Sequence, residues 1–295
     1  MCAGMVQPCP TIRRVAEHYE NFPVASLLCP PRLRPPITAI YGFARTADDI
    51  ADEGDASADE RLAQLKAYRA DLRAVARGSK VSARWPEVFG PLAKAMHDFA
   101  LPEPLLAALL SAFAQDIEKS RDGTDYIDRA QLLDYCSRSA NPIGRLMLHL
   151  FDIHEPVSQT QSDAICTSLQ LINFWQDPSV DLPRGRLYFP LADCAAHRVK
   201  PGKLKAFTAA SAVPPSQAMK KLIAAEVAWA RELMQQGAPL VHRVPGRMGW
   251  ELRLVVQGGL RILDKIEALD FDTLRHRPTV GATDAPLLAW RAMLM

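Results

Sequence analysis

Residues 170–190 read Q-L-I-N-F-W-Q-D-P-S-V-D-L-P-R-G-R-L-Y-F-P, and their spacing decides the fold. At about 100° per residue, Gln170, Asn173, Asp177 and Asp181 fall within about an 80° sector of one helical face. That face projects two amides and two carboxylates in one direction, and Arg184, Arg186 and Tyr188 follow directly. Carboxylates hold a magnesium ion and guanidinium groups hold phosphate oxygens, so the pattern suits a magnesium-bridged phosphate ester. Pro178 conflicts with an unbroken helix. It cannot donate to the carbonyl of Phe174 and predicts a kink there. The one-face assignment therefore holds through Asp177 and depends, at Asp181, on how the helix bends.

Residues 39–52, A-I-Y-G-F-A-R-T-A-D-D-I-A-D, repeat the theme. Tyr41, Arg45, Asp48 and Asp52 lie within about 60° of one another, while Asp49 is rotated about 100° from Asp48. Two carboxylates at i and i+4 repel by a few tenths of a kcal/mol, which a bound cation removes. Taken alone, acidic residues at a helix end before an acidic loop are commonly just solvated. A second such pair downstream shifts the balance. Magnesium uses one or two protein carboxylates and takes its other ligands from water and phosphate. Two opposed Asp pairs are the arrangement expected for several magnesium ions clamping a diphosphate.

The rest of the chain reads as helices that build an apolar pocket facing these residues. A short helix is expected over 11–22, and others over 37–52, 62–75, 88–99, 105–122, 130–139 and 142–150. The helix that opens this section spans 157–181. Residues 182–202 are broken by Pro183, Gly185, Pro190, Pro201 and Gly202. Long amphipathic stretches over 216–236 and 248–269 follow, with one short helix in the tail. No alternating strand pattern or repeat competes. The expected fold is all-α, a single domain over 1–295 with residues 1–10 and 278–295 as peripheral tails.

Composition narrows the function. The chain has 295 residues, 48% hydrophobic and 23% charged, with a formal net charge of +2. So small a charge does not argue for nucleic-acid binding. Six scattered cysteines without a C-x-x-C pair argue for reduced thiols rather than disulfides or structural zinc. The first ten residues lack the basic end and apolar run of a signal peptide, and no run reaches about 18 apolar residues. A soluble, cytoplasmic protein is expected, with peripheral contact to the inner membrane left open.

Three stretches carry a family resemblance: Y-G-F-A-R-T-A-D-D-I-A-D (41–52), Y-C-S-R-S-A-N-P-I-G (135–144) and the quoted 170–190 segment. They resemble the squalene/phytoene synthase family, the head-to-head isoprenoid synthases, and within it the bacterial hydroxysqualene synthases of hopanoid pathways. The resemblance implies a helical bundle around a central apolar cavity. It implies that Asp48, Asp52, Asp177 and Asp181 hold Mg2+, and that Arg45 and Asn173 sit at the diphosphate. His18, Tyr41, Gln170 and Tyr188 match pocket positions, and Tyr135 matches a tyrosine near the rearranging carbon skeleton. Arg186 is a further candidate for the substrate. The chain departs from common family wording at Val180, at Ser139-Ala140-Asn141 and at Leu260.

The implied substrate is presqualene diphosphate, converted with water to hydroxysqualene and diphosphate, and no NADPH is expected. Arg138, Asn141 and Tyr135 are the candidates for positioning the water. Phe22, Tyr41, Phe43, Phe174, Trp175 and Phe189 are candidates for stabilising a carbocation by cation–π attraction, with packing expected for Phe174 and Trp175. The alternatives are condensation of two prenyl diphosphates and a non-catalytic helical binding subunit.

Overall fold

Why these residues form helices is visible at their ends. The computed structural model describes residues 29–207, 211 and 213–295, so the expected helix over 11–22, with His18 and Phe22, lies outside the described residues. α1 (Arg34–Asp52) carries Pro35 and Pro36 in its first turn, where a missing N–H costs no helical bond. Ser57 and Glu60 close a capping box on α2 (Ala58–Ala76). α3 (Pro86–Phe99) leads to α4 (Glu103–Asp122), which ends on Gly123 in the left-handed region at φ 64°. Asp128 caps α5 (Arg129–Ser139), and α6 (Asn141–Leu150) and α7 (Pro156–Gln176) follow. After one non-helical residue comes α8 (Pro178–Asp181). The proline-broken segment still contains two short helices, α9 (Leu191–Ala196) and α10 (Pro201–Lys205). α11 (Gln217–Gly237), α12 (Gly246–Ala268) and α13 (Ala285–Met293) complete an all-α fold.

Two hydrophobic clusters hold these helices. One joins α1, α2, α3 and α4, where Phe43 stacks on Tyr68 at 5.1 Å and meets Phe89 edge-on at 6.1 Å. The Tyr68 hydroxyl donates to the Phe43 carbonyl at 3.1 Å, so no polar group is stranded there. The other joins α5, α7, α11 and α12 around Trp175, which stacks on Phe189 at 5.1 Å. α6 belongs to both: Leu146 and Leu150 pack into the first cluster and Leu148 into the second. Gly237 lets α11 approach α7 closely, since a Cβ there would lie 2.6 Å from the Gln161 carbonyl oxygen.

Residues 278–295, expected as a peripheral tail, are tied to α12. Asp284 accepts from Arg261 at 2.8 Å and from Lys265 at 2.5 Å, and Arg291 pairs with Asp264 at 2.7 Å. Among the described residues no helix is long and apolar enough to cross a membrane. Between the two clusters lies a cavity of about 770 Å³.

Candidate active site

α1 and the junction between α7 and α8 bring the two acidic pairs to one end of this cavity. Asp48, Asp52, Asp177 and Asp181 all line it, together with Tyr41, Arg45, Gln170, Asn173, Arg186, Tyr188 and Tyr135. Pro178 does more than kink the helix. α7 stops at Gln176, Asp177 leaves helical geometry at φ −109°, ψ 22°, and α8 restarts on the proline. The Asp181 N–H donates to the Asp177 carbonyl at 2.9 Å, and this turn returns Asp181 to the cavity. Asp49 does not line the cavity, in keeping with its place on the wheel.

Arginine is matched to each acidic pair. Arg186 grips Asp52 with both prongs, at 2.8 and 2.5 Å. Arg277 grips Asp177 the same way, at 2.6 and 3.0 Å. Arg45 pairs with Asp48 at 3.0 Å, Asp49 at 2.7 Å and Glu53 at 3.0 Å. Burial, then the neighbouring Asp52 charge, raises the Asp48 carboxyl to about 6 despite Arg45. Burial, then Asp177, raises Asp181 to about 7. The Asp52 partnership and other nearby anions hold the Arg186 guanidinium above its usual range against its burial.

Among the described residues no three acidic, histidine or cysteine groups converge on one point. The carboxylates instead stand as two pairs lining the cavity, and one member of each pair is held by both prongs of an arginine. That donor set fits magnesium, which needs one or two carboxylates per ion and fills its shell with water and phosphate oxygens. It does not resemble a closed all-protein cage.

The apolar part of the cavity is walled by Ile37, Ile40, Phe113, Met147, Phe151 and Leu252. Where it meets the acidic end, aromatic rings stack. Phe174 lies on Tyr188 at 3.7 Å with 10° between planes, and Tyr188 lies on Tyr126 at 5.9 Å. Phe174 thus lines the cavity, against the expectation of pure packing, while Trp175 is buried in the core as expected. Phe43 and Phe189 are core residues.

Two expected residues are not at the cavity. Arg138 donates to Gln115 and Asp134, each at 2.6 Å, and ties α5 to α4. Asn141 is buried and accepts from Thr167 at 2.9 Å, joining α6 to α7. Helical spacing explains the first: Ser139, four residues after Tyr135, shares its face and lines the cavity. Three residues that sequence reading passed over do belong here. Arg277 is one. Asp116 of α4 lines the cavity and accepts from the Tyr135 hydroxyl at 2.6 Å. Phe113 sits one turn before it. Asp116 carried no spacing signal, having no second acid three or four residues away on its own face of an ordinary amphipathic helix.

The chain is similar to known proteins over most of its length. The squalene/phytoene synthase family profile matches residues 15–284. A hydroxysqualene synthase of Rhodopseudomonas palustris is 33% identical over 257 residues, covering 85% of this chain and 80% of that protein. A hydroxysqualene synthase of Sinorhizobium fredii is 34% identical over 273 residues, covering 90% and 85%. The crystal structure of squalene synthase HpnC from Alicyclobacillus acidocaldarius superimposes with a TM-score of 0.77 at 33% identity, covering 89% of this chain and 94% of that one. With both aspartate pairs, their arginines and the apolar cavity in place, the chain belongs to the squalene/phytoene synthase family.

Proposed function

We propose that the protein converts presqualene diphosphate and water to hydroxysqualene and diphosphate. The observation that carries this reading is the meeting of both Asp pairs, Arg45 and Arg186 at one end of a largely apolar cavity of about 770 Å³. A long isoprenoid fits the apolar part, and its diphosphate fits the charged end. Asp48, Asp52, Asp177 and Asp181 are the residues that would hold magnesium, whose charge would offset the negative charge growing on the departing diphosphate.

The chain's own residues supply the rest. Arg45 and Arg186 stand beside the carboxylates and add fixed positive charge where the leaving group develops its negative charge. Asn173 and Gln170, one turn apart on α7, offer amide donors to the same group. As the carbon–oxygen bond breaks, the cyclopropylcarbinyl cation remains beside Phe174 and Tyr135, which line the cavity. Aromatic faces stabilise a cation by about 0.5–2 kcal/mol each. The apolar walls exclude bulk water, so the cation rearranges before it is captured. Water capture needs no reductant, and none is expected.

The test is to incubate purified protein with presqualene diphosphate and magnesium, without NADPH. Hydroxysqualene and one equivalent of diphosphate are expected. Squalene as product, or no turnover, overturns the reading. Farnesyl diphosphate offered alone should remain unconsumed; its condensation would assign the protein to the prenyl-joining reaction instead.

A further inference from the structure

Behind the aromatic wall lies a second, much smaller space of about 20 Å³, bounded by Asp116, Ser120, Thr124, Tyr126, Arg186 and Tyr188. A water molecule needs roughly 10–15 Å³ of such space and two to four polar partners. The chamber therefore accommodates about one water. Its outer lip, Ser120, Thr124 and Gly185, is exposed to solvent, while Tyr126 and Tyr188 are buried. Asp116, Arg186 and Tyr188 line both this chamber and the main cavity. It thus shares three lining residues with the main cavity and has solvent-exposed residues at its lip.

Asp116 is suited to act at that wall. Its Oδ2 accepts from the Tyr135 hydroxyl at 2.6 Å, and no hydrogen bond to Oδ1 is present among the described residues. Tyr135 fixes the carboxylate's orientation and leaves one oxygen for a further donor. Tyr135 itself is a poor proton acceptor, because burial first and then the Asp116 charge hold its phenol far above the usual range. Arg138 and Asn141, the other expected water-positioning residues, are committed elsewhere.

We propose that the chamber between α4 and residues 185–188 meters the capturing water into the cavity, and that the Asp116 carboxylate takes its proton. This rests on the reaction proposed above. The water oxygen forms a bond to the cationic carbon, one O–H bond breaks, and the proton passes to Asp116. The positive charge on carbon is discharged in the same step, and no oxidant or reductant takes part. Without water delivery the cation loses a proton from carbon to the departed diphosphate instead, forms a carbon–carbon double bond and leaves as a hydrocarbon.

The experiment measures alcohol, hydrocarbon and diphosphate formed from presqualene diphosphate and magnesium by wild type, Asp116→Asn, Asp116→Glu and Ser120→Phe. Ser120→Phe plugs the chamber from its exposed lip, where folding tolerates substitution. The proposal expects the ratio of alcohol to diphosphate to fall at least tenfold in Asp116→Asn and in Ser120→Phe, with hydrocarbon making up the balance. Asp116→Glu should recover part of the ratio. An unchanged ratio in both variants, whatever the overall rate, overturns the chamber and leaves the reaction standing. A wild-type protein that forms no alcohol overturns the reaction and the chamber together.

Discussion

Arg277 holds Asp177 across 100 residues of sequence, with Nε 2.6 Å from one carboxylate oxygen and a terminal nitrogen 3.0 Å from the other. Both side chains are only partly exposed, at 27% and 22%. The fork fixes the one acidic residue that sits at the break between α7 and α8, so its loss should be felt in catalysis more than in folding. Arg277→Gln is expected to lower turnover roughly 10- to 100-fold while shifting the melting temperature by only a few degrees. Arg277→Lys should recover little, because an ammonium lacks the two-pronged geometry. Steady-state kinetics over a magnesium series, paired with thermal melts, checks both.

Asp181 is charged at a cost in the metal-free protein. Its carboxyl is raised to about 7 by burial and then by Asp177. A folded-state value above the unfolded one means stability falls as pH rises from about 4 to about 7. Asp181→Asn should therefore leave the metal-free protein as stable as wild type or slightly more so at pH 8. Activity should fall at least about a hundredfold through loss of transition-state charge stabilisation. Melts in chelator and turnover in magnesium separate the two effects.

A second buried acid governs pH dependence far from the cavity. Glu226 is fully buried beside Arg129 and Asp193, and burial raises it to about 8 even though Arg129 pulls it down. Between about pH 4.5 and 8 the folded chain keeps a proton that the unfolded chain releases. Its contribution thus lowers stability as pH rises, by up to about 1.4 kcal/mol per pH unit. Glu226→Gln should flatten the melting-temperature profile across pH 6–8.5, with its largest gain over wild type at the alkaline end.

The contact at Gly237 makes a packing prediction. An added Cβ would meet the Gln161 carbonyl oxygen at 2.6 Å and the Ile165 amide nitrogen at 2.9 Å, both backbone atoms of α7. Backbone cannot swing aside as a side chain can. Gly237→Ala is expected to cost about 1–3 kcal/mol despite the better helix propensity of alanine, seen as a lowered melting temperature.

Much of this was legible because the signals are local. Pro35, Gly123 and Ser216 mark helix ends within a few residues of where the helices begin or stop. The i, i+4 spacing of Asp48 and Asp52 placed both in the cavity without reference to any other helix. What was not legible is tertiary. Nothing near Arg277 announces Asp177, and nothing near Asp116 announces Tyr135, because each pair meets only after separate helices pack. Arg138 shows the same limit in reverse: a residue beside a site tyrosine in sequence turned toward α4, where Gln115 and Ser111 accept its donors. Pro178 lay between the two regimes, with the disruption readable and the tight turn that restores Asp181 not.

Apart from α6, which packs into both, the two clusters of side chains flank a hollow of about 770 Å³. A folded protein normally fills such a volume with its own atoms, and each unfilled part forfeits dispersion contacts. Here the isoprenoid chain would complete the interior, acting as a transient piece of core supplied from outside. Occupancy and global stability would then rise together, since a ligand that binds only the folded state stabilises it in proportion to the logarithm of its concentration over Kd. Each turnover would end with the enzyme giving up part of its own packing, which makes departure of the product a loosening of the whole bundle and not only the emptying of a pocket.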